Sequence, residues 1–180
     1  DERCLRIIMK LSEYGVFQTP TLTINTFDSR RFYADPKWRE TYQELPEAAE
    51  NNWMQGSLKL ANIDVTENAK KFDAWSLSLV NKMHQEGVKI IAGTDTPIGY
   101  LTPGYSLHKE LELLSEAGLS NMDVLRSATI TPAEFFGMEN QMGTIEVGKL
   151  ADLVILDKNP LMSISNTQSI HRVIVKGQIQ

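Results

Sequence analysis

The stretch Val88-Lys89-Ile90-Ile91-Ala92-Gly93-Thr94-Asp95-Thr96-Pro97 decides how the rest of this sequence is interpreted. Its apolar run, Ile90–Ala92, is typical of a strand in a parallel sheet that is covered on both faces. Gly93 allows the backbone to come close to a neighbour, and Pro97 ends the run. We therefore expect Asp95 just past the carboxyl end of a parallel strand, where α/β folds place their chemistry.

Asp95 has two interpretations on this stretch alone. A carboxylate at the carboxyl end of a strand can bind a metal ion, act as a general base, or do both. An aspartate in a turn can equally serve as a helix cap or a turn residue. The ten residues by themselves favour neither role.

The composition predicts an ordinary soluble globular chain. Of its 180 residues, 42% are hydrophobic and 23% are charged, which is enough to bury a core. The net charge of −5 comes with scattered Lys and Arg residues, so nucleic acid is not an expected partner. No apolar run approaches the ~20 residues that a membrane span needs, so no membrane partner is expected either. The single Cys4 cannot form an internal disulfide and leaves the compartment open.

The start of the sequence suggests part of a longer protein. The chain begins at Asp1 without an initiating Met, and no signal peptide opens it. A leader would lie upstream of Asp1, so the localisation is left open.

Apolar periodicity predicts alternating helices and strands over the first part of the chain. The predicted segments are a helix over Cys4–Tyr14, a strand over Val16–Ile24, a helix over Thr66–Glu86, the strand before Asp95 and a helix over Ser106–Ala117. In the long helix, the predicted buried stripe is Phe72, Trp75, Leu79 and Met83. Ser120 and Thr131 are the predicted N-caps of two shorter helices. This alternation argues for a parallel sheet.

The segment Asn25–Asp64 has weaker periodicity and many aromatic residues. It follows a predicted strand and would emerge on the same face as Asp95, where a long loop can form a lid or a substrate wall. The interpretation that we prefer is an elaboration packed on its own aromatic side chains: Phe27, Phe32, Tyr33, Trp38, Tyr42 and Trp53.

Helical periodicity disappears after Gly137. Short β-rich runs follow at Thr144–Val147, Asp152–Leu156 and Ile170–Val175, and glycines separate them. These strands are too few to close a sandwich, so they need partners from elsewhere. We therefore divide the chain into residues 1–137 and residues 138–180.

Five motifs in order carry a family resemblance. Gly143–Asp157, which reads GTIEVGKLADLVILD, resembles the C-terminal signature of metal-dependent amidohydrolases. Leu125–Ala133 is similar to the family's segment after the last barrel helix, and His108–Leu111 resembles that helix. Ala92–Asp95 resembles the eighth barrel strand, and Thr19–Leu22 resembles the seventh. The combination most resembles the imidazolonepropionase and prolidase-like branch.

The resemblance implies an α/β fold. Residues 1–137 would be the C-terminal part of a (β/α)8 TIM barrel, with its last two strands and their helices, and residues 138–180 would be strands of a composite β-sandwich. A complete barrel takes ~250 residues, so we expect a fragment whose missing N-terminal part of the same protein is its partner. An oligomer is compatible with this arrangement.

The resemblance also implies a metal-dependent hydrolase. Such enzymes usually hold zinc and cleave carbon–nitrogen bonds of small molecules, here a cyclic amide, an amidine or a dipeptide-like substrate. Of the family's ligands (a His-x-His, a Lys or Glu, two further His and an Asp on strand eight), only the last has a counterpart here, Asp95. By resemblance, Asp95 binds the metal, takes a proton from the attacking water and passes it to the leaving nitrogen. Zinc sites need three or four protein ligands, so this chain alone is expected to be inactive.

The three histidines do not replace the missing ligands. His84 is predicted at the C-terminal end of a helix, on the face of the sheet opposite to Asp95. His171 is predicted on the surface of the β segment. His108 lies on the correct face, and we favour a structural role, such as holding another site residue in place, over a role as metal ligand.

Two alternatives stay open beside the hydrolase. The first is a non-catalytic relic or assembly module of the same fold, because the missing ligands would lie upstream. The second is a receiver-like sheet in which Asp95 accepts a phosphoryl group. The β-rich tail argues against the second, because such domains end in a helix.

Overall fold

The structure is a computed structural model that describes residues 2–180. In chain order, the elements are α1 (Glu2–Glu13), β1 (Phe17–Gln18), α2 (Leu22–Asn25), α3 (Phe27–Arg30), α4 (Pro36–Glu40), α5 (Glu47–Ala61), α6 (Glu67–Gln85), β2 (Lys89–Ile90), α7 (Tyr105–Glu116), α8 (Asn121–Ser127), α9 (Ile130–Phe135), β3 (Leu153–Leu156), β4 (Ile170–Val175) and β5 (Gln178–Ile179). Short 3₁₀ helices cover Phe32–Ala34, Thr41–Glu44 and Ile164–Gln168.

The two strands of the first half pair in parallel, as the alternating pattern predicts. Phe17 lies opposite Lys89, and Gln18 lies opposite Ile90. The backbone N–H of Ile91 extends the ladder by donating to the Gln18 carbonyl at 2.8 Å. Because the strands are parallel, the segments that follow β1 and β2 leave the sheet at the same edge.

The predicted strand over Val16–Ile24 is wrong in its second half. β1 ends at Gln18, and the chain turns into the short helix α2 at Leu22. Pro20 has no N–H for a ladder, and Thr21 adopts a left-handed conformation with φ 45°. The segment after Gln18 therefore forms a turn, although its residues have a high β-propensity.

The main core lies where α6, α7 and α8 pack on β2 and on the C-terminal segment. Its buried side chains include Val80, Met83, Ile90, Leu111, Leu114, Val124 and Ile164. Burying each aliphatic side chain contributes roughly 1.5–3 kcal/mol, so this cluster is what holds the helices against the strand.

The predicted buried stripe of α6 is wrong at its first two positions, whereas Met83 is buried as predicted and Leu79 packs partly buried against the core. Phe72 and Trp75 are 47% and 55% exposed and stack on each other with ring centroids 5.5 Å apart. The residues of α6 that are buried are Asp73, Ser76, Val80 and Met83. Asp73 can be buried because the guanidinium of Arg30 on α3 donates two hydrogen bonds to it, at 2.8 and 3.0 Å.

The segment between α2 and α6 forms a second core of aromatic residues, as expected for an elaboration packed on its own side chains. Its buried members are Tyr33, Trp38 and Tyr42, and Leu101 from the loop before α7 joins them. The Trp38 indole N–H donates to the Tyr100 carbonyl at 2.9 Å. Because Tyr100 and Leu101 follow Asp95 in sequence, this aromatic core also supports the loop that Asp95 begins.

The caps of the shorter helices agree with the sequence in one case and differ in the other. Ser120 caps α8, and its hydroxyl accepts from the Asp123 N–H at 3.1 Å. The predicted cap Thr131 is wrong, because α9 begins at Ile130 after Thr129, which makes no side-chain cap. α7 begins at Tyr105, one residue before the predicted helix, and Ser106 lies inside it with its hydroxyl donating to the Thr102 carbonyl at 2.8 Å.

The C-terminal segment forms an antiparallel sheet in the order β3-β4-β5. The predicted strand over Thr144–Val147 is not formed. The Thr144 hydroxyl instead donates to the Glu146 carboxylate at 2.6 Å in a local turn that Lys149 also contacts. The 3₁₀ helix Ile164–Gln168 packs this segment on α7 by burying Ile164 in the main core.

Candidate active site at the strand ends

The ends of β1 and β2 lie in direct contact beyond the sheet. A β-carbon placed on Gly93 would come within 2.5 Å of the Thr19 Cγ2, which is closer than two carbons can approach. Gly93 therefore lies where the segment after β1 comes close, as predicted from the sequence, and its neighbour there is the Thr19 side chain. This contact lies two residues before Asp95.

The segment after β2 is also hydrogen-bonded to the last residue of α8. The Ala92 N–H donates to the Ser127 carbonyl at 2.9 Å, and the Ser127 hydroxyl donates back to Val124 at 2.6 Å. Two motifs that are far apart in sequence, Ala92–Asp95 and Leu125–Ala133, thus meet at the same edge of the sheet.

Asp95 lies five residues beyond the end of β2 and has an unusual backbone conformation. Its φ is 58°, in the left-handed region that few residues other than glycine adopt. Its side chain is exposed, and within residues 2–180 the carboxylate makes no hydrogen bond or ion pair. The nearest following helix, α7, begins ten residues later, so Asp95 does not cap it.

A second left-handed residue stands at the end of the neighbouring strand. Thr21 has φ 45° and ψ 50°, and for a β-branched residue this is a genuine outlier. Such backbone outliers concentrate at functional sites, because they persist only when their surroundings hold them. Thr21 and Asp95 therefore mark the same edge, one after each parallel strand.

Glu110 on α7 contacts the turn that follows Thr21, a contact that the sequence pattern did not predict. Its fully buried carboxylate accepts from the backbone N–H of Leu22 at 2.9 Å. It also accepts from the N–H of Thr23 at 2.7 Å and from the Thr23 hydroxyl at 2.5 Å. Burial raises the pKa of Glu110, and the three donated hydrogen bonds oppose that rise. A glutamate among the leucines of the apolar stripe of α7 is the signal that could have identified it.

His108 connects α7 to the C-terminal segment. Its Nδ1 lies 3.0 Å from the Thr167 Oγ1. The one hydrogen of that hydroxyl goes to the Ile164 carbonyl at 2.9 Å, so the His108 Nδ1–H must be the donor. Burial lowers the pKa of His108, which favours the neutral ring. The ring borders a cleft of about 230 Å³ between the aromatic core and α7.

The other histidines have separate partners. His84, in the last turn of α6, lies 3.7 Å from a carboxylate oxygen of Asp123, and His171 on β4 lies 3.0 Å from Asp157. Within residues 2–180, no three or more His, Cys, Asp and Glu side chains are grouped so that they could hold a metal ion. Over the same residues, no helix has the length and apolarity of a membrane span.

One family model and several known proteins are similar to large parts of this chain. A family model described as "Amidohydrolase family" matches residues 77–180. A 5-methylthioadenosine/S-adenosylhomocysteine deaminase from Caldanaerobacter subterraneus subsp. tengcongensis is 26% identical over 161 residues, which is 84% of this chain and 32% of the deaminase. An imidazolonepropionase from Symbiobacterium thermophilum is 38% identical over 76 residues, which is 42% of this chain and 18% of that protein.

Solved structures share the fold. A Xaa-Pro dipeptidase with bound methionine is similar with a TM-score of 0.66 and 26% identity, over 96% of this chain and 36% of the dipeptidase. A prolidase complexed with N-methylphosphonate-L-proline is similar with a TM-score of 0.61 and 24% identity, over 98% of this chain and 37% of the prolidase. The mixed α/β arrangement is thus shared with these two structures, and the chain spans less than two fifths of the length of each of these relatives.

Proposed function

Because this chain belongs to the amidohydrolase family, we propose that it is the C-terminal part of a metal-dependent hydrolase that cleaves carbon–nitrogen bonds in small molecules. In this proposal, β1 and β2 are the last two strands of the barrel, and β3–β5 belong to the composite β-sandwich. The similar proteins are named for different substrates. We therefore propose a substrate class, namely cyclic amides, amidines or dipeptide-like molecules, rather than one compound.

The position of Asp95 carries the proposal. The residue follows a parallel strand, its backbone is held in the left-handed region, and its carboxylate is exposed at the edge where both strands end. Ligands of α/β enzymes bind at that edge of the sheet. An exposed carboxylate there can reach a small molecule that a buried one cannot.

The described residues of this chain do not form a complete metal centre. Asp95 fits one ligand position, and residues 2–180 offer no group of three ligating side chains. We propose that the other ligands come from the N-terminal part of the same protein and that the metal is zinc. When bound, the metal would supply an activated water by lowering its pKa towards ~7.

Asp95 has two tasks in the proposed reaction. Its carboxylate accepts a proton from the attacking water, which makes the water oxygen the nucleophile. It then delivers that proton to the leaving nitrogen as the carbon–nitrogen bond breaks. Both transfers need the carboxylate within about 3 Å of the reacting oxygen or nitrogen, which a fixed strand end can provide.

The test uses the full-length protein and a panel of cyclic amides, amidines and dipeptides. We expect hydrolysis of at least one class, loss of that activity after chelator treatment, and recovery when zinc is restored. The product of a cleaved carbon–nitrogen bond would be identified by mass spectrometry. A full-length protein that keeps no metal and leaves the whole panel intact would instead identify a non-catalytic relic of the fold.

A further inference from the structure

We propose that Glu110 is a positioning residue, which holds Thr19–Thr21 as a wall of the site beside Asp95. The inference rests on the proposed function. This inference goes beyond the proposed function because it assigns a task to a buried side chain. Glu110 is 0% exposed and does not itself reach the substrate. Its consequence is that the geometry at Asp95 depends on a carboxylate on another helix.

The carboxylate joins two elements that are distant in sequence. Glu110 lies in the middle of α7, and its partners Leu22 and Thr23 lie 88 and 87 residues earlier. Their N–H groups are the first two of α2, which no carbonyl of that helix can satisfy. The carboxylate therefore replaces water at two buried donors and neutralises the positive end of that turn.

The same bonds hold a backbone that Thr21 does not favour. Left to itself, a β-branched threonine avoids φ 45° because its side chain crowds the backbone. Leu22 and Thr23 follow at once and are both anchored to Glu110, so the turn cannot relax without breaking these bonds. Glu110 therefore restrains the residues that follow the left-handed Thr21. A strained backbone conformation persists only where its surroundings restrain it in this way.

The turn at Thr21 also contacts the neighbouring segment that leads from β2 to Asp95. The Thr19 methyl group packs against Gly93, and the Gln18 carbonyl accepts the N–H of Ile91. Movement of Thr19–Thr21 therefore changes the space beside Gly93–Asp95. If the role of Glu110 were only structural, its loss would lower stability without changing the geometry of Gly93–Asp95.

The experiment compares Glu110→Gln with Glu112→Gln in the full-length protein. The two substitutions lie on the same helix, but the partners of the half-buried Glu112 are Lys109 and Gln168, neither of which lies in the turn at Thr21. Glutamine keeps the volume of Glu110 and offers one acceptor oxygen, while its amide N–H₂ faces a donor. Readouts are kcat and KM on the best substrate, metal content, and hydrogen–deuterium exchange of the peptides Thr19–Asn25 and Ile91–Pro97.

For Glu110→Gln we expect faster exchange in both peptides and a fall in kcat of about tenfold to a hundredfold, with metal content kept. Glu112→Gln should match the wild type in each readout. If Glu110→Gln does not fold, Thr23→Val removes one of the three donors and should show smaller changes in the same direction.

Exchange that rises only in Thr19–Asn25, or a kcat within twofold of the wild type in a folded variant, would overturn the positioning role. These outcomes are separate from a failure of the proposed function, which would appear as an inactive wild type, whereas the exchange coupling can be measured without any substrate.

Discussion

Gly93 packs so closely on Thr19 that a β-carbon at Gly93 would lie 2.5 Å from the Thr19 Cγ2. The two residues follow adjacent parallel strands, and each is two positions from a left-handed residue, Asp95 or Thr21. The contact therefore joins the two chain segments that border the proposed site. Its tightness means that a small change at either residue should be felt at the other.

Gly93→Ala should destabilise the full-length protein by about 1–3 kcal/mol, because the added methyl group has no room beside Thr19. Urea unfolding would measure the loss. Thr19→Ser removes the Cγ2 that the methyl would strike, so the double variant should recover part of the stability. If Gly93→Ala is as stable as the wild type, the strand ends are not packed as described.

The ion pair between Arg30 and Asp73 should contribute more to the free energy of unfolding than the pair between Arg30 and Glu116. The Asp73 side chain is 11% exposed and would be left buried without its partner, whereas that of Glu116 is 51% exposed. Arg30→Gln breaks both pairs, and we expect it to cost about 2 kcal/mol in unfolding free energy, most of it from the buried Asp73 that loses its partner. Glu116→Gln should cost less than about 1 kcal/mol. Equal losses for the two variants in urea unfolding would contradict this ranking.

The carboxylate of Asp123 should make stability depend on acid pH. The Ser120 hydroxyl is the main cause that lowers the pKa of Asp123 below its ordinary value of 3.8, with His84 and Arg126 adding to it. A lowered folded-state pKa stabilises the protein above pH 3.8, and this contribution is lost as the pH falls through the folded-state value.

Asp123→Asn should therefore lower the melting temperature at pH 6, and the difference from the wild type should shrink towards about pH 3. Asp64→Asn, at an exposed position, serves as the control and should show little difference at either pH. A difference for Asp123→Asn that stays constant with pH would mean that the charge of Asp123 is not the cause.

Much of the chain's framework could be predicted from local patterns. The parallel strand before Asp95 and the helix capped by Ser120 depend on neighbouring residues, so the sequence shows them directly. The role of Gly93 could be predicted for the same reason: a glycine at a strand end indicates close approach. The packing of the aromatic segment followed from the number of its aromatic residues.

The remaining features depend on contacts that are distant in sequence. The hydrogen bonds of Glu110 span 87 and 88 residues, and they lie at the turn where the predicted strand ends and α2 begins. The first half of the buried face of α6 was predicted wrongly because Asp73 is buried through its pair with Arg30, which an apolar periodicity cannot reveal. Both errors arise where a charged side chain is buried by a partner elsewhere in the chain.

The isolated 180-residue chain should bind zinc weakly and without fixed stoichiometry. Asp95 is the one residue proposed here as a ligand, and no ligating group of three exists within residues 2–180. Elemental analysis after dialysis would measure the zinc retained, with Asp95→Asn as the comparison. One tightly held zinc per chain would show that this segment alone forms a metal centre.

Asp95→Asn in the full-length enzyme tests the assignment most directly, with turnover, metal content and melting temperature measured on the same protein. The substitution keeps the shape of the side chain and removes its charge and proton affinity. Turnover should fall by about 10²–10⁴, metal affinity should fall modestly because the proposed upstream ligands remain, and the melting temperature should barely change. An Asp95→Asn enzyme that stays fully active but is less stable by about 1 kcal/mol would instead make Asp95 a structural turn residue and contradict its role in catalysis.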